Sequence, residues 1–438
     1  MRVIHLLRKY DPAEWGGTES AVQRLFAGLR KHGVTPVMYC PKLAKANRDS
    51  TDPTDPFELK RFRAFVPICG ISREYRRQLV AVGGNLLSFD LLPALLAERD
   101  AELIHTHTLG RLGSIASVVA RARRLPFVIS IHGGLFDLPA PLKDDFENAK
   151  SVGYDWGKIF GAMLNSRDLV SRADAILTCN PKEAQLVRER YPNKRVQVQP
   201  HGINTASYAS DRRPAALDAF PQLQGREVLL CVGRIDPVKN QGWVVAEAPA
   251  IVRRHPKAVI VFAGPCTDAA YGEKIRQQIS DSGLNDHVLL TGGLPPADPR
   301  LIGLFQLARA VVLPSISETF GLVIIEAWAA GTPTISSRTS GGTSLIKPGQ
   351  NGWLFDLEDS AGFHRAVDEA ISRPELHAKC AEAGRQLVLA EYDQSAVAGQ
   401  VKKLYEELIA YNGQRQAERA KPKTVGDVRA PHVRQTPC

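Results

Sequence analysis

The chain reads as an α/β protein built from two doubly wound, Rossmann-like domains. Three observations predict this. The 438 residues exceed what one ordinary core organises, so two domains of roughly 200 residues each are expected. Short apolar runs of strand length alternate with helix-period segments through both halves, as in a parallel sheet covered on both faces. The alternation breaks once, over the polar, Pro-containing residues 205–225, and then starts again. In such sheets ligands sit beyond the carboxyl ends of the strands, so the loops that follow strands are where chemistry is sought.

In the first half, Met1-Arg2-Val3-Ile4-His5-Leu6-Leu7 is too short and too soon polar for a signal peptide, and it supplies the first strand. Pro36–Cys40, Leu103–His105, Phe127–Ile131, Ala175–Cys179 and Val196–Gln199 follow as buried strands, with helices over Ser20–His32, Leu109–Arg123 and Pro181–Arg190. Three loops lie at strand ends. Trp15-Gly16-Gly17-Thr18-Glu19-Ser20 pairs glycines for a tight turn with the first amides of a helix; a plain turn capped by Thr18 or Ser20 fits as well. Ile131-His132-Gly133-Gly134 places an imidazole where it can hydrogen-bond a substrate hydroxyl. His105-Thr106-His107 is read as mainly structural; its spacing can bind metal, but no further ligands cluster with it in the sequence.

Two segments interrupt the pattern. Residues 60–77 set Lys60, Arg61, Arg63, Arg73, Arg76 and Arg77 among Phe62, Phe65 and Tyr75, and residues 135–160 carry Phe136, Phe146, Tyr154, Trp156 and Lys158. They fit either a solvated surface or a basic-aromatic rim that meets an acceptor or an anionic membrane.

In the second half, Val228–Val232 is a buried strand followed by Gly233-Arg234-Ile235-Asp236-Pro237-Val238-Lys239-Asn240. A guanidinium and an ammonium in one loop suit a diphosphate. Val259–Ala263 with Gly264-Pro265, and Val288–Thr291 with Gly292-Gly293-Leu294, repeat the strand-and-turn theme. The apolar run ending Ala310-Val311-Val312-Leu313-Pro314 leads into Ser315-Ile316-Ser317-Glu318-Thr319-Phe320-Gly321-Leu322, and Val323–Ala330 reads as a helix closed by Gly331 and Pro333. Amides of Phe320, Gly321 and Leu322 at a helix N-terminus form a seat for an anion. Glu318 and Glu326 only accept hydrogen bonds and can each take two from a vicinal diol; taken alone, they also fit two solvated glutamates.

These residues together resemble the family 4 retaining glycosyltransferases. Ser315-x-x-Glu318-x-Phe320-Gly321-Leu322-x-x-x-Glu326-Ala327 is similar to that family's E-x7-E motif, and Arg234 with Lys239 is similar to its diphosphate-binding pair. Pro200-His201-Gly202-Ile203-Asn204 looks like the family's opening of the interdomain linker, while Ser340-Gly341-Gly342 and Asn351-Gly352-Trp353-Leu354-Phe355 look like its C-terminal elements. The resemblance covers about residues 1–410 and implies a GT-B fold. It divides the chain into an acceptor domain 1–203, a linker 204–225, a nucleotide-sugar domain 226–390 and a helix 391–410 that crosses back to the first domain. It also implies roles. Glu326 would hold the donor's ribose and Glu318 the sugar hydroxyls. His132, Arg234 and Lys239 would act at the reacting centre, with Gly16, Gly17, Gly264, Leu294, Phe320, Gly321 and Leu322 around the donor. The expected reaction moves a hexose-type sugar, UDP-linked, onto a hydroxyl of a glycan or glycolipid of cell-surface polysaccharide biosynthesis, with retention. No Asp-x-Asp element is present to hold a metal, so neither metal nor cofactor is expected.

Composition narrows the classes further. Hydrophobic residues at 44% and charged residues at 23% are ordinary for a globular protein, and no apolar run approaches the roughly 20 residues that span a bilayer. Cys40, Cys69, Cys179, Cys231, Cys266, Cys380 and Cys438 form no C-x-x-C pair, the usage of reduced thiols in a cytoplasmic protein. The formal charge is +10, of which residues 411–438 supply +4 from six Lys/Arg and two Asp/Glu. Those last residues, rich in Gln, Lys, Arg and Pro, are expected to be disordered. The charge suits phosphorylated substrates, nucleic acid, or peripheral contact with the inner face of an anionic membrane. A nucleic-acid binder leaves the phosphate-and-diol loop unexplained, and an epimerase on the same fold needs acid/base groups from both domains beyond His132 and Glu318. A phosphorylase needs a lysine for pyridoxal phosphate that the sequence does not offer.

Overall fold

The computed structural model describes residues 1–10, 16–42, 57–81, 86–133, 136 and 153–420. Asp11, Pro12, Trp15, Gly134 and Phe146, with the tail from residue 421, lie outside the described residues.

The first sheet contains β1 Arg2–Leu6, β2 Thr35–Pro41, β3 Glu58–Phe62, β5 Leu103–Thr106, β6 Phe127–Ile131, β8 Ala175–Thr178 and β9 Arg195–Val198. They run in the order β3-β2-β1-β5-β6-β8-β9, with β4 Ile68–Cys69 and β7 Tyr154–Asp155 forming a separate two-stranded pair. The second sheet contains β10 Glu227–Val232, β11 Ala258–Ala263, β12 Val288–Gly292, β13 Ala308–Leu313, β14 Thr334–Ser337 and β15 Gly352–Phe355, ordered β12-β11-β10-β13-β14-β15. Every pairing in both sheets is parallel. In each sheet the order turns back beside its first strand, and that reversal opens a crevice at the strands' carboxyl ends. The crevices lie between β1 and β5 and between β10 and β13.

Each sheet is buried on both faces, which is why its strands read as apolar runs. Ile4, Leu6, Val37, Ile104 and Ile129 face one core of the first sheet, while Val3, Met38, Leu103 and Val128 face the other. That second face is completed from the far end of the chain by Ala398, Val401, Leu404, Tyr405 and Leu408. They belong to the helix Gln394–Ala420, which packs along the helix Gly17–Lys31. The contact is close: a Cβ at Gly28 would stand 2.2 Å from the Gln394 carbonyl oxygen.

The outgoing and returning chains are joined where they cross. The Ile203 amide donates to the Tyr392 carbonyl at 2.9 Å, the Gln394 amide to the Ile203 carbonyl at 2.8 Å, and the Thr205 hydroxyl to Asp393 at 2.7 Å. Residues 204–225, expected as a polar linker, are more structured than that. They include the helix Arg213–Ala219, packed on Pro299–Leu307, and Tyr208, Ala216 and Leu223 enter the second core.

Two expectations are corrected. The last helix continues ten residues into the stretch expected to be disordered, because Asn412 and Gln416 donate to the Arg124 carbonyl at 2.7 and 2.9 Å and so cap the end of the helix Gly110–Arg123. Segment 60–77 is not a free basic surface. Residues 58–62 form edge strand β3, Lys60 pairs with Glu98, and Arg61 donates to the Tyr10 carbonyl. Arg63 pairs with Asp90, and Arg76 donates to the Val66 and Ile68 carbonyls. Arg73 and Arg77 remain exposed. Beside them Phe65 stacks on Trp156 and meets Phe89, which meets Phe160; Phe89, Tyr154, Ile159 and Met163 are exposed. Among the described residues no helix is long and apolar enough to cross a membrane.

Candidate active site

The crevice of the second sheet is lined by the loops after β10 and β13. The Ile316 amide donates to the Val238 carbonyl at 2.9 Å, and Asn240 Nδ2 to the Pro314 carbonyl at 3.2 Å, which binds the two loops together. Asn240 takes a left-handed conformation (φ 57°) that starts the helix Gln241–Arg254 and turns Lys239 inward. Lys239 Nζ then meets Glu318 Oε2 at 2.5 Å, both side chains being about four-fifths buried. The sequence places these two in one site, and the structure brings them into contact. Arg234 is not in that contact: it is 58% exposed and pairs with Asp236 at 3.1 Å. Gly264 carries a different constraint from the one assigned to it, since a Cβ there would lie 1.9 Å from the Gly233 carbonyl oxygen. It lets the loops after β10 and β11 touch. Leu294 follows edge strand β12 and packs partly buried against the second core.

The helix after β13 spans Leu322–Ala329, and Gly321 precedes it at φ 91°. That left-handed turn favours glycine and starts the helix, whose first two amides, of Leu322 and Val323, have no acceptors within it. Trp328, fully buried, anchors the other end and donates to the Asn351 carbonyl at 2.9 Å. The Phe320 ring is buried against His201 (centroids 4.8 Å) and Tyr392 (6.1 Å), so this residue ties the loop to both interdomain crossings. Glu326 is nearly buried, and Arg24 Nη2 of the first domain donates to its Oε1 at 2.6 Å. Arg24 Nη1 is buried and has no partner among the described residues.

The first domain faces this loop closely. Gly16 caps the helix Gly17–Lys31, the Glu19 carboxylate folds back over it, and a Cβ on Gly17 would lie 3.7 Å from Leu322. A Cβ at Gly133 (φ 117°) would lie 1.9 Å from Thr319 Cγ2, and Asn180 Nδ2 donates to the Thr319 carbonyl at 2.9 Å. His132 therefore stands at the domain boundary. Its Nε2 meets His107 Nδ1 at 2.8 Å, and its ring stacks on His201 at 5.2 Å. Burial, reinforced by the charge of Arg8, pulls its pKa down to about 4. Burial likewise holds His5, His105, His107 and His201 well below the usual range, so all five rings are neutral at pH 7.

The fold gives His105 and His107 a third neighbour that the sequence did not place there, His5, and the three offer ring nitrogens within 4.8 Å of one another. Most of those nitrogens are already engaged. His105 meets the Tyr405 hydroxyl at 2.6 Å and the Ser130 hydroxyl at 2.7 Å, and His5 Nδ1 meets His107 Nε2 at 3.0 Å. His107 Nδ1 is taken by His132. Of the trio's nitrogens, only His5 Nε2 is buried without a partner among the described residues. The trio is a hydrogen-bonded cluster.

Two facing Rossmann-like halves, each a parallel sheet wound on both faces, define the GT-B glycosyltransferase fold. The chain belongs to that class: the family "Glycosyltransferase Family 4" matches residues 15–207, and "Glycosyl transferases group 1" matches residues 216–387. A D-inositol 3-phosphate glycosyltransferase of Acidothermus cellulolyticus is 27% identical over 286 residues, 64% of this chain and 61% of that protein. A counterpart from Nocardia farcinica is likewise covered over only 58% of its length. A glycogen synthase of Mycobacterium tuberculosis is 26% identical over 442 residues, covering 95% of this chain and 97% of that one. Among solved structures, Anabaena HepE in complex with UDP superimposes with a TM-score of 0.69 at 17% identity, over 93% of this chain and all (100%) of that chain. Sucrose-phosphate synthase from Thermosynechococcus elongatus does so with a TM-score of 0.69 at 22% identity, over 94% and 99%.

Proposed function

We propose that the chain transfers a hexose-type sugar, with retention and without a metal, from a UDP-linked donor to a hydroxyl of a glycan or glycolipid in cell-surface polysaccharide biosynthesis. The observation that carries this reading is the contact of Lys239 with Glu318 at the β10/β13 crevice, opposite His132 of the first domain. Departure of a nucleoside diphosphate builds negative charge on the leaving phosphate. Lys239 and the first amides of the helix Leu322–Ala329 are fixed positive groups beside that position, and the exposed Arg234, paired with Asp236 in the same loop, is a further cation for the diphosphate. Glu326, held by Arg24, takes the ribose diol on its remaining lone pairs, and Glu318 takes the sugar hydroxyls. A carboxylate engaged this way is a poor nucleophile, which favours a front-face route in which the leaving phosphate accepts the acceptor's proton. HepE was solved with UDP-glucose, which supports a UDP-sugar as the first donor to try. The exposed apolar rim of Phe89, Tyr154, Ile159 and Met163 is where the acceptor or an anionic membrane surface would meet the first domain.

The test is a thermal-shift panel of UDP, GDP, ADP and CDP with EDTA present, on wild type and Glu326→Ala. At about 100 times its dissociation constant the right nucleotide stabilises the fold by roughly 2.7 kcal/mol. A shift with UDP that the variant loses is expected; no shift with any nucleotide would remove the donor site. In turnover, Lys239→Ala should cost on the order of 10²-fold in kcat, the size of losing one charge-stabilising donor.

A further inference from the structure

The buried histidines form a directed chain. His5 on β1, His107 after β5 and His132 after β6 are joined by His5 Nδ1···Nε2 of His107 at 3.0 Å and His107 Nδ1···Nε2 of His132 at 2.8 Å. A neutral imidazole has one N–H and one bare lone pair. Each ring that donates from one nitrogen therefore accepts at the other, and the whole chain must run one way. If it runs from His132 inward, it ends in an N–H on His5 Nε2. If it runs from His5 outward, His5 Nε2 keeps a lone pair and His132 carries its proton on Nδ1.

Among the described residues His5 Nε2 is buried and has no partner. An orphaned buried N–H is rarer, and costs more, than an acceptor left unfilled. The outward direction is therefore the stable one. We propose that His5 and His107 are positioning residues that fix His132 as the Nδ1–H tautomer, presenting a hydrogen-bond donor to the cleft. His132 Nδ1 makes no hydrogen bond among the described residues, and the ring plane is held by stacking on His201. His105 does not oppose the arrangement, because both its partners are hydroxyls that donate or accept as needed.

The consequence is chemical. With its proton on Nδ1 and its Nε2 lone pair filled by His107, His132 has no basic site facing the cleft. It binds an oxygen lone pair on the substrate and takes no proton from the acceptor. This consequence rests on the donor-site reading above; the tautomer itself does not.

The experiment is long-range ¹H–¹⁵N NMR of the full chain labelled at histidine, with the His132 signals assigned by their loss in His132→Gln. A protonated Nδ1 and a bare Nε2 are expected; a protonated Nε2 overturns the proposal. In His5→Asp the carboxylate can only accept, so His107 must donate inward and His132 must switch to the Nε2–H form. That variant should lose about tenfold in kcat, a loss of about 1.4 kcal/mol in transition-state binding, with affinity for UDP unchanged. An unswitched tautomer would overturn the relay as its cause. Should His5→Asp fail to fold, His107→Phe is read instead: His132 should then show averaged shifts, and a single fixed Nδ1–H would count against the chain. If UDP binds no variant and not the wild type, the donor reading fails while the tautomer result stands.

Discussion

Glu326 meets two demands at once, pairing with Arg24 across the domain boundary and standing where a ribose would lie. A nearly buried carboxylate stripped of its cation is costly, so Arg24→Ala should destabilise the protein by about 3 kcal/mol in urea unfolding. Arg24→Met combined with Glu326→Leu should recover most of that loss, because the burial penalty leaves with the charges; no recovery would mean that packing, not charge, holds the pair. Lys239 and Glu318 were legible because both follow strands. Arg24 was not: it sits in a helix whose polar spacing reads as surface, and its partner lies 302 positions away. Titration works at this scale too. The five histidines of the cluster have folded pKa values below 6.5, His132 at about 4, so the unfolded chain binds more protons as the pH falls between those values. Their contribution to stability is complete above 6.5 and is lost progressively toward 4. The melting temperature should thus fall steeply from pH 7 to pH 5; a flat profile would show the cluster to be charged or open.

Elements were read from apolar runs, and that signal fails where burial is met by other means. Strand β14, Thr334-Ile335-Ser336-Ser337, is buried throughout, yet three of its residues are polar and give no apolar run. The Ser337 hydroxyl donates to the Ser315 carbonyl at 2.6 Å and the Ser336 hydroxyl to the Ser337 carbonyl at 3.0 Å, which offsets the burial penalty of these two serines. Strand β3 was missed for a different reason. It lies at a sheet edge, where Glu58 and Lys60 are tolerated because they pair with Arg2 and Glu98. The loop from Glu318 to Leu322 was legible because its glycine is irreplaceable. A Cβ at Gly321 would force a left-handed φ and stand 2.7 Å from Ile324 Cδ1, so Gly321→Ala should lower stability by roughly 1–3 kcal/mol and weaken UDP binding with it. Calorimetry on the variant checks both, and an unchanged melting temperature would sink the strain argument.

At the scale of the whole molecule the two halves are held by contacts that no local pattern reveals. The alternation foretold two sheets, but the pairing of Ile203 with Tyr392 and Gln394, and the reach of the last helix to Ala420, depend on distant partners. Gly28 lies under that helix, with a would-be Cβ 2.6 Å from Ala398 Cβ as well as against the Gln394 carbonyl. Gly28→Val should lift the helix, costing about 1–3 kcal/mol of overpacking and stripping hydrogen-exchange protection from residues 394–408. Retained protection there would mean that the helix shifts and docks again.

The same helix also sets an order of events at the ribosome. The sheet face carrying Val3, Met38, Leu103 and Val128 is made early, but the part of its cover from Ala398 to Leu408 is translated some 270 residues after Val128. At roughly 5–20 residues per second the nascent first domain waits tens of seconds with that apolar face covered only in part, by Val22, Phe26 and Leu29 of the helix Gly17–Lys31. Any message truncated before codon 394 yields a chain that can never cover it in full, so such products are substrates for chaperones and proteases rather than half-working enzymes.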